Sequence, residues 1–372
     1  MQTNRPSVIA ILVLILSLPL GIYAQSENAD ELLNEAIYLM DNGDPMGAIS
    51  LLEEAKKMDP GRFIYDYEIG YAHYLNEDMK SSLETFKKVI KYPDANDQCY
   101  QMLGNLYDFN GKRSKAMKTY DKGLKKFPQS GRLHLEKGNI YFAQAKYYDA
   151  LNLYELGILA EPNYPSNYFR AAQIYFNSTE EIWGMFYGEI FMNLERNSER
   201  TVEMSKMLFE TYNSEITFKS DTSISVSFSQ RSRININISS RNLKNNPESL
   251  LEAFTQLPYP TAVYEPTIIF SLTGEKEVNL ASLHRTRKRF VERYFEKEYN
   301  IKYPNILIDY HKRLLDLGLF EPYNYWILMK GNEDEFEEWE SNHEKLWKNF
   351  SEWFSQNPLF IGPNTRFNSS QY

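Results

Sequence analysis

Of 372 residues only one is cysteine, Cys99, and only five are histidine. One thiol can neither close a disulfide within the chain nor form a CxxC zinc or redox site, so thiol chemistry is not central here. Cys99 falls in a helical register and reads as a small buried hydrophobe. The histidines, His73, His134, His284, His311 and His343, are scattered, and no pair is spaced for joint metal ligation. GxSxG, HExxH, Walker, GxGxxG and EF-hand patterns are absent, so no motif points to a catalytic residue, a metal or a cofactor. Carboxylate pairs such as Glu337 and Glu338 belong to a set of 50 acidic residues and read as solvated helix faces.

Positive charge is also short. The formal net charge is −9, whereas a nucleic-acid binder carries a clustered basic face, so no nucleic-acid partner is expected. The one basic cluster is His284, Arg285, Arg287, Lys288, Arg289 and Arg293. It lies among Leu283, Phe290, Val291 and Tyr294 at helical spacing and reads as a solvated helix face, balanced by the acidic run Glu333, Asp334, Glu335, Glu337 and Glu338.

Long apolar runs are missing beyond the N-terminus. Residues 1–24 read as a secretory signal peptide, with Arg5 before an apolar stretch from Val8 to Leu20 and Ala24 at the cleavage point. The stretch is well short of the roughly 20 residues that span a bilayer. No cysteine follows it, which excludes a lipoprotein anchor. The expectation is an exported chain, periplasmic with full secretion as the alternative, and without stable membrane insertion after cleavage.

What the chain has in quantity is aromatic, 28 Tyr and 22 Phe, and periodic. Gly70, Gly104, Gly138 and Ala172 stand 34 residues apart, followed three residues later by His73, Tyr107, Tyr141 and Tyr175. With the small residue as the eighth position, units begin at Ala29, Phe63, Asp97, Gly131 and Pro165. The third reads GNLYDF, then Ala116, Tyr120 and Pro128; the fourth reads GNIYFA, then Ala150, Tyr154 and Pro162. The first has Ala36, Ala48, Leu52, Ala55 and Pro60. The second keeps Gly70 and Phe86 but has Ser82 at the small position. The fifth departs most, through Gly184, Gly188, Phe191 and Arg196, and is predicted to pass into a capping helix.

This pattern resembles the tetratricopeptide repeat over residues 29 to about 198. The resemblance implies paired helices packed through Gly70, Gly104, Gly138, Ala48, Ala116 and Ala150, with the aromatic four residues after the second small position filling the space beside them. It also implies an inner surface lined by the second, fifth, ninth and twelfth positions of each first helix. Those positions give a groove of Tyr67, Tyr71, Tyr74, Gln101, Asn105, Arg132, Asn139, Phe142 and Gln173. Asn105, Asn139 and Gln173 share the ninth position. Such amides can pair with the backbone of an extended peptide, or else bridge neighbouring helices. The lysine pair of carboxylate-clamp members has no match at Leu33, Tyr67 or Gln101, so capture of a peptide's terminal carboxylate is not expected.

Beyond Tyr212 the helical period gives way to alternation: Ile216 and Phe218, then Ile224, Val226 and Phe228, then Ile234, Ile236 and Ile238. Alternation of this kind predicts a β-hairpin or small sheet, with a turn at Gln230-Arg231-Ser232 and Thr267 to Leu272 as a candidate further strand. Helices are predicted again over 279–298, 304–317, 321–330 and 333–355, with Gly318 as a C-cap. The stripe Phe336, Trp339, His343, Leu346, Trp347, Phe350, Trp353 and Phe354 reads as a buried helix face.

The fold expected is mostly α, a helical solenoid of four to five repeats over 29–198, a capping helix over 199–213 and an α+β domain over 214–372. The function expected is a non-enzymatic interaction module of the bacterial cell envelope that binds a protein or peptide, without metal. The alternative is a hydrolase-like enzyme in the C-terminal domain to which the repeats bring substrate.

Overall fold

The computed structural model describes residues 27–220, 223–229, 258–362 and 365–372. The expected signal peptide, the turn at Gln230-Arg231-Ser232 and the alternating Ile234 to Ile238 lie outside them. The chain divides into two compact units, one ending at Lys137 and the other beginning at Gly138.

The first unit contains α1 (27–41), α2 (Pro45–Met58), α3 (Phe63–Leu75), α4 (Met79–Val89), α5 (Asp97–Phe109) and α6 (Arg113–Lys126), with the start of α7 (Gly131–Phe142). The first residues of α3, α5 and α7 are those at which the repeats are predicted to begin. Asp44, Asp78 and Asn96 cap α2, α4 and α5 by accepting from the N–H groups of Gly47, Ser81 and Cys99.

Packing inside a repeat follows the small-residue logic. A Cβ on Gly70 would lie 2.8 Å from Phe86, and one on Gly104 would lie 2.0 Å from Tyr120. Ala48 and Ala116 are fully buried. Ser82, which departs from the pattern, is buried too, and its hydroxyl donates to the Gly70 carbonyl at 2.8 Å. That bond keeps the two helices close in place of an alanine contact.

One conformational feature recurs with the period. Gly43, Glu77, Gly111 and Ala145, which turn one helix of a repeat into the next, have φ of 86°, 59°, 70° and 55°. An L side chain in this left-handed region costs about 1–2 kcal/mol, so Glu77 and Ala145 hold strain that glycine would not. Glu77→Gly and Ala145→Gly are each expected to raise stability by about 0.5–1 kcal/mol, net of the extra freedom of the unfolded chain. Urea unfolding checks this; an unchanged or lower midpoint refutes it.

The second unit continues with α8 (Tyr147–Ala160), α9 (Pro165–Phe176) and α10 (Glu181–Leu194), again on the repeat register. Gly138 meets Tyr154 as Gly104 meets Tyr120, at 2.4 Å for an added Cβ, and Ala150 is fully buried. In the fifth unit the eighth-position residue is Ala172, and Gly188 stands where its predecessors have an aromatic. Met204 and Phe176 fill the space there. The residues expected to form a capping helix form α11 (Glu199–Glu215), opened by a capping box between Ser198 and Thr201.

Every residue of α10 from Ile182 to Asn193 is buried, so the fifth unit departs from the repeat pattern because its second helix is enclosed on all sides. Beside α9 and α11, the enclosing elements come from the C-terminal region. Strands β1 (Ile216–Ser220) and β2 (Ser223–Val226) pair antiparallel, Ile216 opposite Val226 and Phe218 opposite Ile224. Phe228 leaves β2 and inserts between Tyr212 and Tyr264, while its carbonyl accepts from the Ile182 N–H.

A π-helical turn over Pro260–Tyr264 leads into α12 (Glu265–Ser271), then α13 (Leu280–Glu296), the short α14 (Tyr299–Lys302), α15 (Ile306–Asp316), α16 (Phe320–Leu328), α17 (Glu333–Asn342) and α18 (Glu344–Gln356). Two expectations are corrected here. Thr267 to Leu272 is helical, because Thr267, Ile268 and Ser271 bury one face and hydroxyl–carbonyl bonds from Thr267 and Ser271 follow the helix. The predicted helix over 333–355 breaks at His343, whose ring stacks on Trp339 and whose Nδ1 lies 2.8 Å from the Trp339 carbonyl. Gly318 has φ of 69°, as its C-cap role requires.

The basic cluster is only partly a solvated face. Arg285 and Arg289 both pair with Glu275, at 2.6 and 3.0 Å, while Arg287 is buried. In the acidic run, Glu335 caps α13 by accepting from the Leu280 and Ala281 N–H groups. The segment after α18 returns along the unit. Ile361 and Asn163 exchange two hydrogen bonds, and Phe367 packs on Trp183, Phe186 and Tyr187. No described helix is long and apolar enough to cross a membrane.

Candidate functional site

In the first unit the groove residues separate by position. Tyr67, at the fifth position, is not a groove residue but part of the core: it is buried edge-on against Phe86 at 5.2 Å, and burial pushes its hydroxyl pKa up. Tyr71 and Tyr74 stack, with ring centroids 6.1 Å apart and planes inclined by 19°, and Tyr74 is exposed. Gln101 accepts from Arg132 at 3.1 Å and donates to Glu136 at 2.7 Å. Arg132 also lies 3.3 Å from Asp97.

The ninth-position amides bridge helices. Tyr120 donates to Asn105 Oδ1 at 2.5 Å and Tyr154 donates to Asn139 Oδ1 at 3.0 Å. The aromatic that fills the space beside the repeat glycine thus also engages the amide on the adjoining first helix. These carbonyl oxygens are committed within their own repeats, so of the two readings offered by the sequence, helix bridging describes them.

In the second unit two of the predicted residues, Phe142 and Gln173, line a trough of about 620 Å³, and Asn139 does not. Its walls include Phe142, Tyr147, Arg170, Gln173, Glu203 and Met207. Tyr147 stands edge-on to Phe142 at 5.3 Å, and the Arg170 guanidinium lies 5.8 Å from the Phe142 ring centre. Gln173 accepts from Arg170 and donates to Glu203, both at 3.0 Å. The trough therefore combines the apolar surfaces of Phe142, Tyr147, Ile174 and Met207 with one cation, one carboxylate, the Gln173 amide between them, and the polar Asn177 and Ser178. Glu203 and Met207 were not legible as site residues, because they belong to α11, outside the repeat register.

A second convergence of polar groups lies in the core of this unit. Glu189 accepts from His311 Nε2 at 2.7 Å and from the Tyr323 hydroxyl at 2.9 Å, and it pairs with Arg287. Burial works against the Glu189 charge, but Arg287 and His311 outweigh it and hold the carboxyl well below the usual carboxylate range. Burial pushes the His311 imidazole down, against the pull of Glu189. The adjoining cavity holds about 30 Å³, and every residue lining it is buried. That is room for about one water molecule. Among the described residues no group of three or more His, Cys, Asp or Glu is placed to hold a metal.

Residues 33–96 and 102–168 match the tetratricopeptide repeat family. No curated protein matches the chain. Similar solved structures include TTC0263, a thermophilic TPR protein of Thermus thermophilus, at 16% identity over 48% of this chain and 98% of that one, with a TM-score of 0.40. Others are PilW, a widely conserved type IV pilus biogenesis factor, at 15% over 49% and 83% with 0.39, and YrrB, a TPR protein with an unusual peptide-binding site, at 14% over 51% and 98% with 0.33. What those proteins bind or build belongs to them.

The matched residues, the helix pairs on one period and the buried small residues define a helical-repeat protein of the class that serves as a protein-interaction scaffold. Residues 33–96 and 102–168 are built of tetratricopeptide repeats.

Proposed function

We propose that this protein is a non-enzymatic scaffold of the bacterial cell envelope that holds a partner protein through an extended segment seated in its repeats. The trough of about 620 Å³ between α7, α9 and α11 carries this reading. It falls within the few hundred to about 1,000 Å³ typical of ligand sites, and its aromatic walls and central amide suit a peptide's apolar side chains and backbone. Placement in the envelope rests on the signal-peptide pattern of residues 1–24, and periplasmic residence on the missing lipoprotein cysteine and the missing later apolar run. The partner is a protein or peptide; the chain's acidity argues against nucleic acid.

The hydrolase-like alternative needs polar groups around a space that admits substrate. Glu189, Arg287 and His311 converge, but around about 30 Å³ within the core. The interaction reading is therefore preferred.

Affinity capture from the native cell envelope with the tagged mature chain tests it, run beside a Phe142→Ala/Gln173→Ala variant that melts normally. Proteins retained by the native chain are expected to be lost by the variant. Retention of the same proteins by both would move binding to another face and return weight to the alternative.

A further inference from the structure

A second concavity, of about 600 Å³, adjoins the trough in the same unit. The two share Tyr147, Ile174 and Ser178, so one continuous extended chain can pass across Tyr147 from one to the other. The composition of the second differs from that of the first. Its walls carry five aromatic rings, Tyr147, Tyr148, Tyr175, Trp183 and Tyr372, and two carboxylates, Glu155 and Glu180. No lysine, arginine or histidine is among the described residues that line it.

Glu155 is held in place. Its Oε1 accepts from the hydroxyls of Tyr175 at 3.1 Å, Tyr187 at 2.8 Å and Ser369 at 2.6 Å. No lysine, arginine or histidine among the described residues pairs with it. Hydroxyl donors orient a carboxylate and leave its negative charge in place, whereas a basic partner would neutralise it. Tyr148 and Tyr147 present large apolar surface to solvent beside this charge, at 76% and 51% exposure. Aromatic faces and a fixed carboxylate, with no cation among the described residues that line the site, are the complement of a cationic side chain, which ring quadrupoles and the carboxylate attract together.

We propose that this concavity seats a lysine or arginine side chain of the partner's peptide, next to the part of that peptide held in the trough. The inference rests on the interaction reading above and adds a charge requirement to it. The partner segment therefore carries a basic residue beside the apolar stretch that fills the trough. The site lies outside the groove that the repeat resemblance assigns, on α8, α9, α10 and the returning chain near Ser369.

The test is selection of a random dodecapeptide display library on the whole mature chain, followed by binding measurements with the resynthesised peptides. Lysine or arginine is expected to be enriched in the selected peptides, and replacing it with glutamine should weaken binding about tenfold or more, as loss of a charge-assisted bond does. Glu155→Gln keeps the Oε1 acceptor for its three hydroxyl donors and removes the charge, so it should abolish the preference for a basic residue while the fold persists. Tyr148→Ala, at an exposed position, should weaken the same peptides.

Selected peptides without basic enrichment, or enrichment unchanged by Glu155→Gln, overturn the proposal, and so does an absence of selection on the folded native chain. Peptides lost by Phe142→Ala/Gln173→Ala but indifferent to Glu155→Gln would sustain the trough and eliminate only the cationic subsite.

Discussion

Leucine in place of Gly104 is expected to unfold the repeat that contains it. An added Cβ would already lie 2.0 Å from Tyr120 Cε1, closer than real carbon contacts come, and leucine adds three more carbons at the same point. The Tyr120 ring cannot turn aside cheaply, because it is buried and its hydroxyl is held by Asn105. Overpacking of this kind costs about 3 kcal/mol or more, a large share of the roughly 5–15 kcal/mol that stabilises a domain. Gly138→Leu should behave alike in the second unit, where the added Cβ lies 2.4 Å from Tyr154. Chemical denaturation followed by circular dichroism measures both. Pairing Gly104→Ala with Tyr120→Leu should recover part of what Gly104→Ala loses, since the smaller side chain leaves room for the methyl group. Native-like unfolding of the leucine variants would show that the repeat register assigned here is wrong.

Arg287→Met is expected to cost about 3–5 kcal/mol, because it leaves the buried Glu189 carboxylate without its principal counter-charge. A double change, Glu189→Leu with Arg287→Met, should restore much of the loss, as apolar replacements of buried ion pairs often do. Acidification attacks the same cluster in two steps. Burial holds His311 below its ordinary value, so the unfolded chain takes up a proton first and stability begins to fall below about pH 6.5. Glu189 has a depressed value in the folded state, so its contribution is complete above the ordinary carboxylate range near pH 4.3 and is lost progressively below it. Both contributions have the same sign. Burial pushes Glu68 and Glu181 up to about 7, which opposes this trend over pH 4–7, so the cluster is read from a difference: in urea unfolding across pH 4–8 the change of stability with pH near pH 6 should be less positive in a His311→Gln variant than in the native chain. Identical pH slopes in the native chain and the variant would refute the assignment of charge to this cluster.

The repeats were legible because their determinants are local in sequence and repeat. A glycine or alanine eight residues into each unit and an aromatic sixteen residues later are visible as letters, and Gly104 against Tyr120 or Gly138 against Tyr154 is their direct spatial expression. The groove was legible only in outline. Phe142 and Gln173 line the trough, but Tyr67 turns into the core and the ninth-position oxygens of Asn105 and Asn139 are taken by tyrosines of their own repeats. Whether an amide faces a groove or braces a helix depends on a hydroxyl fifteen residues away, which the spacing of the amides does not reveal.

Arg287 shows the same limit for charge. In the sequence it is one of six basic residues at helical spacing, and only its partner Glu189, far away in the chain, shows it to be buried. The strand expected at Thr267 to Leu272 failed for a related reason: a short apolar run between polar residues fits helix and strand alike, and the neighbours it packs against decide.

By itself, then, the sequence determined the repeat period, the helix pairs that begin on it and the acidic composition of the chain. Those properties depend on residues within one repeat length or on composition. The tertiary structure alone decided that α10 is the enclosed helix of the second unit, that Glu189, Arg287 and His311 share one buried charge cluster, and that Glu155 faces a ring of aromatics. Each of those depends on side chains distant in sequence, brought together by packing that no local pattern encodes.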